Sequence, residues 1–466
     1  MSRSRPSLAT ALVLLLSAVT RSSCERRLYQ IADAPAPSGS LRTNAKQQES
    51  NGALSTTCSF SIKGSAAGAV RAQSLDEDGG SGEGPLLGAN ITCRGKQLTL
   101  IGGPLLDPFS ASFQGVQYIK AVELPGATMV ISDTDLAIED SVFSGLSFFG
   151  DAALCVTNSN VTFVNVTFSS NNNSAAGAIY ANDTSNITVL DSKFYANGGG
   201  QGGAISLWNS SLLVNGTTFY RNQGKGAGGA IAVRNASTIQ IITSAFTENV
   251  AENGGAVYLE TCGKASLADN TFTSNRANKQ GGGLFQTKCS GQVRTSYFKM
   301  NVAPNGASVW QNDCQQIAHT GSRFDNNTAA RGSSGIEMNQ IGQADVAQCT
   351  FTTGRALKGA GLYLQGVTGT IKQCLFESNL ADFGGAIFRG SANGVISGNV
   401  FNTNRATRIG GAIYDSHAKG DISGNTFAGN TAPSGSAIFR TVSSGDVSSN
   451  KRLQDSQVEL DNPASN

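Results

Sequence analysis

The chain has 466 residues, with 34 Lys and Arg against 32 Asp and Glu, a net charge of +2. So even a balance excludes recognition by bulk charge: nothing in it points to nucleic acid, an anionic membrane or a strongly acidic partner. The 56 glycines follow no Gly-x-y period, which excludes collagen, and a hydrophobic fraction of 39% excludes a wholly disordered chain.

Arg3 and Arg5 precede the apolar run ALVLLLSAV at 11–19, and small residues follow it. That is the order of a secretory signal peptide over 1–23, and the run is too short to span a bilayer. Cleavage fits after Thr20 or Ser23; Arg21 argues against a lipoprotein reading through Cys24. No later segment reads as a membrane helix, and the polar tail at 453–466 carries no anchoring signal. The expected location is therefore extracellular or at the cell surface. Secretion makes the nine cysteines potential disulfide partners. It also gives meaning to ten Asn-x-Ser/Thr triplets, at Asn90, Asn160, Asn165, Asn172, Asn182, Asn186, Asn209, Asn215, Asn235 and Asn326.

Residues 24–57 read as a flexible linker. The stretch 58–94 reads as an N-terminal cap closed by Cys58–Cys93, with the acidic loop SLDEDGGSGEGPLLGAN protruding. From 95 to 452 short β-branched runs alternate with Gly, Asn and Ser clusters, without helical periodicity.

A repeat dominates this region. Phe-x-x-Asn begins at Phe168, Phe194, Phe219, Phe246, Phe272, Phe298, Phe324, Phe376, Phe401 and Phe427; Phe351 has Gly354 in place of Asn, and Phe143 also lacks it. Between the phenylalanines stand glycine pairs followed by Ala and Ile or Val, as at Gly202-Gly203, Gly228-Gly229, Gly254-Gly255, Gly384-Gly385 and Gly410-Gly411. Five residues after successive phenylalanines comes an alanine, from Ala251 to Ala432. Fixed spacing there, with variable length afterwards, separates strand from loop. A unit of this length lacks the Leu columns of a leucine-rich repeat and is too short for a propeller blade. The remaining solution is an all-β solenoid, a right-handed parallel β-helix of about twelve coils of roughly 26 residues, stacked about 4.8 Å apart.

In that fold each Phe points inward onto its counterpart, and each burial is worth roughly 1.5–3 kcal/mol. Asn is expected to hold the left-handed turn and to form an amide ladder. The glycine pair supplies positive φ at the bend. GDVSSNKR at 445–452 repeats GDISGNTF at 420–427 with Arg452 in the Phe slot, which ends the stack in a polar cap and favours a monomer. The cysteines follow the coil period: Cys349 and Cys374 are expected to pair, and of Cys262, Cys289 and Cys314 only two can. Cys155 reads as a buried free thiol.

Alternating GGAI and FxxN resembles the passenger repeats of the chlamydial polymorphic outer membrane proteins, and more broadly the right-handed β-helices of the pectate-lyase-like superfamily. The resemblance covers about 140–440 and implies an extended scaffold for recognition. The membrane family also has a C-terminal β-barrel translocator, of which this sequence has no counterpart, so self-export is not implied.

β-Helix enzymes that cut or epimerise acidic polysaccharides need clustered carboxylates and a basic residue. The column after each Phe is mixed and mostly neutral, and Arg221 with Glu248 reads as a solvated pair. Asp191 and Asp269 share a phase three coils apart. GKGAGG at 224–229 has no helix to follow it, Asp415-Ser416-His417 cannot converge along a strand, and His319 and His417 are too far apart to share a metal. Trp208 and Trp310 are candidates for sugar stacking. These readings leave no catalytic, cofactor or metal residue to assign. They favour a secreted, glycosylated, non-catalytic β-helix for adhesion or for binding cell-surface or matrix glycans or proteins. The alternative is a polysaccharide lyase, hydrolase or epimerase on the same fold.

Overall fold

The computed structural model describes strands between Thr57 and Asp461, with residues 151–453 described without interruption. The expected signal peptide, linker, Cys58–Cys93 bridge and Asn90 lie outside the described residues.

The coil that begins at Thr218 illustrates the rest. Strand Thr218–Tyr220 carries Phe219, Ile231–Arg234 follows the glycine pair, and Thr238–Ile242 completes the turn. Chain reversals fall at single left-handed residues between them: Arg221 (φ 56°), Gly228 (58°), Asn235 (54°) and Thr243 (48°). Successive coils pair in parallel with the repeat in register, Phe219 opposite Phe246 and Phe246 opposite Phe272. A slip of one residue would turn every ring to solvent, which is why the register holds. The result is a β-solenoid of about 12 turns, roughly 26 residues apart, with the features of a right-handed β-helix.

Its core holds a column of phenylalanines from Phe143 to Phe427, packed with columns of Ile, Val and Leu. Adjacent ring centroids lie 4.6–5.0 Å apart with planes within 1–12° of parallel. The sheet spacing sets that distance, so the rings meet face to face along the axis. Beside them runs the asparagine ladder. Asn222 Nδ2 donates to Asn249 Oδ1 (3.0 Å) and to the Phe194 carbonyl (3.0 Å), while the Asn197 amides of backbone and side chain both donate to Asn222 Oδ1. Every polar atom of a buried amide is thereby satisfied, the condition for its burial. The left-handed conformation falls one residue earlier than expected. It is Arg221, Glu248 and Ser274, each just before the ladder Asn, that have positive φ. The side-chain amide spans the corner instead of adopting it.

The glycine pair also divides its labour. Gly228 supplies the positive φ (58°), whereas Gly229 lies where a Cβ would run into the Gly255 carbonyl of the next coil. The second glycine therefore answers to close approach, not to backbone angle.

At the N-terminal end strand Thr57–Gly64 pairs antiparallel with Val70–Ser74 and parallel with Gln97–Ile101, so a hairpin closes the stack. At the other end Arg452 stands opposite Phe427 and is exposed. One further strand, Val458–Asp461, pairs with Ile438–Thr441, so the winding continues past the boundary expected at 452.

Candidate binding surface

Aligning the coils on GGA-Ile brings out two columns that the Phe-based reading overlooks. The second residue of that strand faces outward and reads Tyr258, Phe285, Trp310, Glu337, Tyr363, Phe388, Tyr414, Phe439 in register. Tyr258, Phe285 and Trp310 stack at 4.6 Å, and the rings from Tyr363 onward continue at 5.1–5.8 Å. Their faces are spent on one another. Trp310 is only 9% exposed, which removes it as a platform for sugar.

Glu337 interrupts the stripe. It accepts hydrogen bonds from the backbone N–H of Gly306 (2.9 Å) and of Ser333 (3.3 Å), and Gly332 leaves the space its carboxylate fills. Burial pushes its pKa up, and those donors only partly offset this. Tyr363 beside it is also raised, by burial first and by the Glu337 charge second.

The third residue of the strand points into the core. There Arg389, Asp415 and Arg440 form a buried charged cluster, with Arg389 Nε to Asp415 Oδ1 at 2.7 Å and Arg440 Nε to Asp415 Oδ2 at 2.9 Å. Room for the guanidinium groups comes from the facing strand, where Gly369 and Gly394 replace the large residues of earlier coils such as Ile187 and Ile239. The Gly394 carbonyl accepts from Arg389 Nη1 (2.7 Å). Asp415 is thus turned away from Ser416 and His417, whose own contact (3.0 Å) is at the surface.

Further along the core, Gln286, Gln311 and His319 form a chain. Gln311 Nε2 donates to Gln286 Oε1 (2.9 Å), so its Oε1 is left to accept from His319 Nε2 (3.0 Å). His319 Nδ1 has no partner. Burial lowers the pKa of the ring to about 3. Its folded pKa is below the unfolded one near 6.5, so its stabilising contribution is complete above pH 6.5 and is lost as pH falls toward 3. About 2 kcal/mol should disappear between pH 7 and pH 5. Denaturant unfolding at the two pH values is expected to show this drop in the wild type and a smaller one in His319→Leu.

The cysteines divide as follows. Cys262 and Cys289 form a disulfide (Cα–Cα 4.6 Å), and Cys314 is the free third member of the column. Cys349 and Cys374 are free thiols instead of the expected bridge: Cys349 Sγ donates to the Ala347 carbonyl (3.3 Å) and Cys374 Sγ to that of Lys372 (3.3 Å). Cys155, expected as a thiol, is disulfide-bonded. The Cys289 N–H reaches the Cys314 sulfur as the Cys262 N–H reaches that of Cys289. Cys262→Ser is therefore expected to yield a Cys289–Cys314 bond under oxidising conditions, read by non-reducing peptide mapping after alkylation; two free thiols there would refute this.

Of the expected glycosylation positions, Asn160, Asn165, Asn172, Asn186, Asn209, Asn215, Asn235 and Asn326 are exposed. Asn182 is not: it is 5% exposed and its Oδ1 accepts from Thr157 Oγ1 (2.8 Å), so it cannot present its amide. Asn160 and Asn186 donate along an external ladder, to Asp135 and Asn160 respectively.

Asn186, Asn209 and Asn235, with the hydroxyls of Thr184, Ser211 and Ser237, line a surface groove of about 420 Å³. No ionisable side chain lines it. Asn209 follows Trp208, which points outward and is 48% exposed. Among the described residues no three His, Cys, Asp or Glu side chains gather to hold a metal, and no helix is long and apolar enough to cross a membrane. Arg221 and Glu248 do pair (2.7 Å), in solvent.

In-register coils with stacked core columns define a parallel β-helix protein. Residues 124–272, 229–379 and 282–452 match the family model described as right handed beta helix region, and the chain belongs to that family. No curated protein matches the sequence. Among solved structures, it is similar to a mannuronic acid specific polysaccharide family 6 lyase from human gut microbiota, at 8% identity over 76% of this chain and 81% of that one, TM-score 0.24. It is also similar to the PL6 family alginate lyase AlyGC, at 9% identity over 78% and 100%, TM-score 0.19. Likenesses of that size carry no argument about activity.

Proposed function

We propose that this is a secreted, monomeric, non-catalytic β-helix that binds a neutral carbohydrate of a cell surface or matrix in the groove beside Trp208. The observation that carries this reading is a trough of amides and hydroxyls that includes Asn209, the residue next in the chain to the exposed Trp208. An indole face takes the apolar face of a sugar ring, and amides and hydroxyls both donate to and accept from its hydroxyls. None of the groove-lining residues offers a uronate a counter-charge, and Arg234, opposite Trp208 in the next coil, is paired with Glu260 (2.9 Å). On a glycan array the wild type is expected to bind neutral oligosaccharides, and Trp208→Ala to lose tenfold or more in affinity. Unchanged binding by that variant would sink the proposal.

Glu337 favours a second reading, a polysaccharide-active enzyme. A carboxyl whose pKa burial raises, beside Trp310 and Tyr363, is shifted in the direction a general acid requires. Incubation with polyuronates and neutral polysaccharides, followed by assay for new reducing or unsaturated ends, tests this. Turnover by the wild type that Glu337→Gln abolishes would establish it; absence of new ends with either protein would discard it.

A further inference from the structure

The groove has a feature that its use in binding does not need. Three of its asparagines, Asn186, Asn209 and Asn235, head Asn-x-Ser/Thr triplets, and the closing hydroxyls Ser211 and Ser237 line it too. Asn186 is committed, since its Nδ2 donates to Asn160 Oδ1 (2.6 Å). Asn209 and Asn235 differ. Both occupy the left-handed corner (φ 50° and 54°), both are exposed, and both line the groove from successive turns, where the Asn209 N–H donates to the Arg234 carbonyl. We propose that Asn209 and Asn235 carry N-linked glycans that lie across the groove and cover Trp208, so that the modified chain keeps its own binding surface closed. This rests on the reading of the chain as secreted and of the groove as a carbohydrate site. The sugar attached in cis is itself a chain of hydroxyls and apolar ring faces, the chemistry the groove is lined to receive. Tethering at its edge gives it a high effective concentration there. An outside ligand then competes with a resident one.

Trp208 reports on this directly. The chain has two tryptophans, and Trp310 is buried within the aromatic stripe. Chain secreted from a glycosylating host is first mapped by glycopeptide mass spectrometry; sugar at Asn209 or Asn235 is expected, and two bare sites overturn the proposal. Acrylamide quenching of tryptophan emission is then compared between this protein and Asn209→Gln/Asn235→Gln. Glutamine cannot be glycosylated, and the same corner already holds Gln340 at φ 52°. Quenching is expected to rise about twofold when a bulky surface glycan is lost. Equal quenching with occupied sites overturns the proposal. Trimming the wild-type glycans on the native protein provides a second comparison with both asparagines in place. If the trimmed chain shows the rise in quenching but binds no neutral oligosaccharide on an array, closure stands and the carbohydrate-binding reading fails.

Discussion

Asp415→Ala is expected to lower the unfolding free energy by about 3–5 kcal/mol, because it leaves two buried guanidinium groups without their counter-charge. Arg389 and Arg440 both bond Asp415, from opposite sides along the coil axis. Carbonyls of Gly394 and Gly445 take up other N–H groups, but they carry no formal charge. Solenoid stability is a sum over neighbouring turns, so the loss should be local. Hydrogen exchange is expected to accelerate first in the coils containing 387–441, while amides near Phe246 keep their protection. Uniform acceleration along the rod, or a drop under 1 kcal/mol, would show that the cluster is not held as described. Replacing Arg389, Asp415 and Arg440 together by Leu should cost less than Asp415→Ala alone, since no charge remains buried.

Phe246→Ala is expected to cost about 3–5 kcal/mol through a cavity that the fold cannot close. The ring lies between Phe219 and Phe272 at 4.8 Å on each side. Sheet hydrogen bonds above and below hold that spacing, so the neighbouring rings cannot collapse into the gap. Thr247, next in the chain but outward, gives the control: Thr247→Ala should change stability by less than about 0.5 kcal/mol. Urea midpoints of the two variants decide the matter. A Phe246→Ala loss no larger than that of the control would mean the rings are not the central stack.

Much of this architecture was legible because a solenoid converts sequence period into spatial neighbourhood. Once Phe-x-x-Asn recurs every 25 to 27 residues, the ring stack, the amide ladder and the order of coils follow from sheet spacing alone. Arg452 in the Phe slot, where the ring column ends, was readable for the same reason. The position of the left-handed corner was not: Asn tolerates that conformation, but here its side chain is worth more in the ladder, and the strain passes to Arg221 and its equivalents. The aromatic stripe and Glu337 were present as the residue after each Gly-Gly-Ala-Ile or its variants, yet composition does not say which side of a strand faces out.

What the sequence determined by itself was the repeat, hence the coil and the core columns. The tertiary structure alone decided which of three equivalent cysteines pair, that Arg389, Asp415 and Arg440 share the interior with a glycine column, and that Trp208 lies open while Trp310 lies covered. The physical reason is one of range. Periodicity specifies neighbours along the axis, one coil away, whereas pairing, charge burial and exposure depend on what faces a residue across the coil, and no local pattern records that.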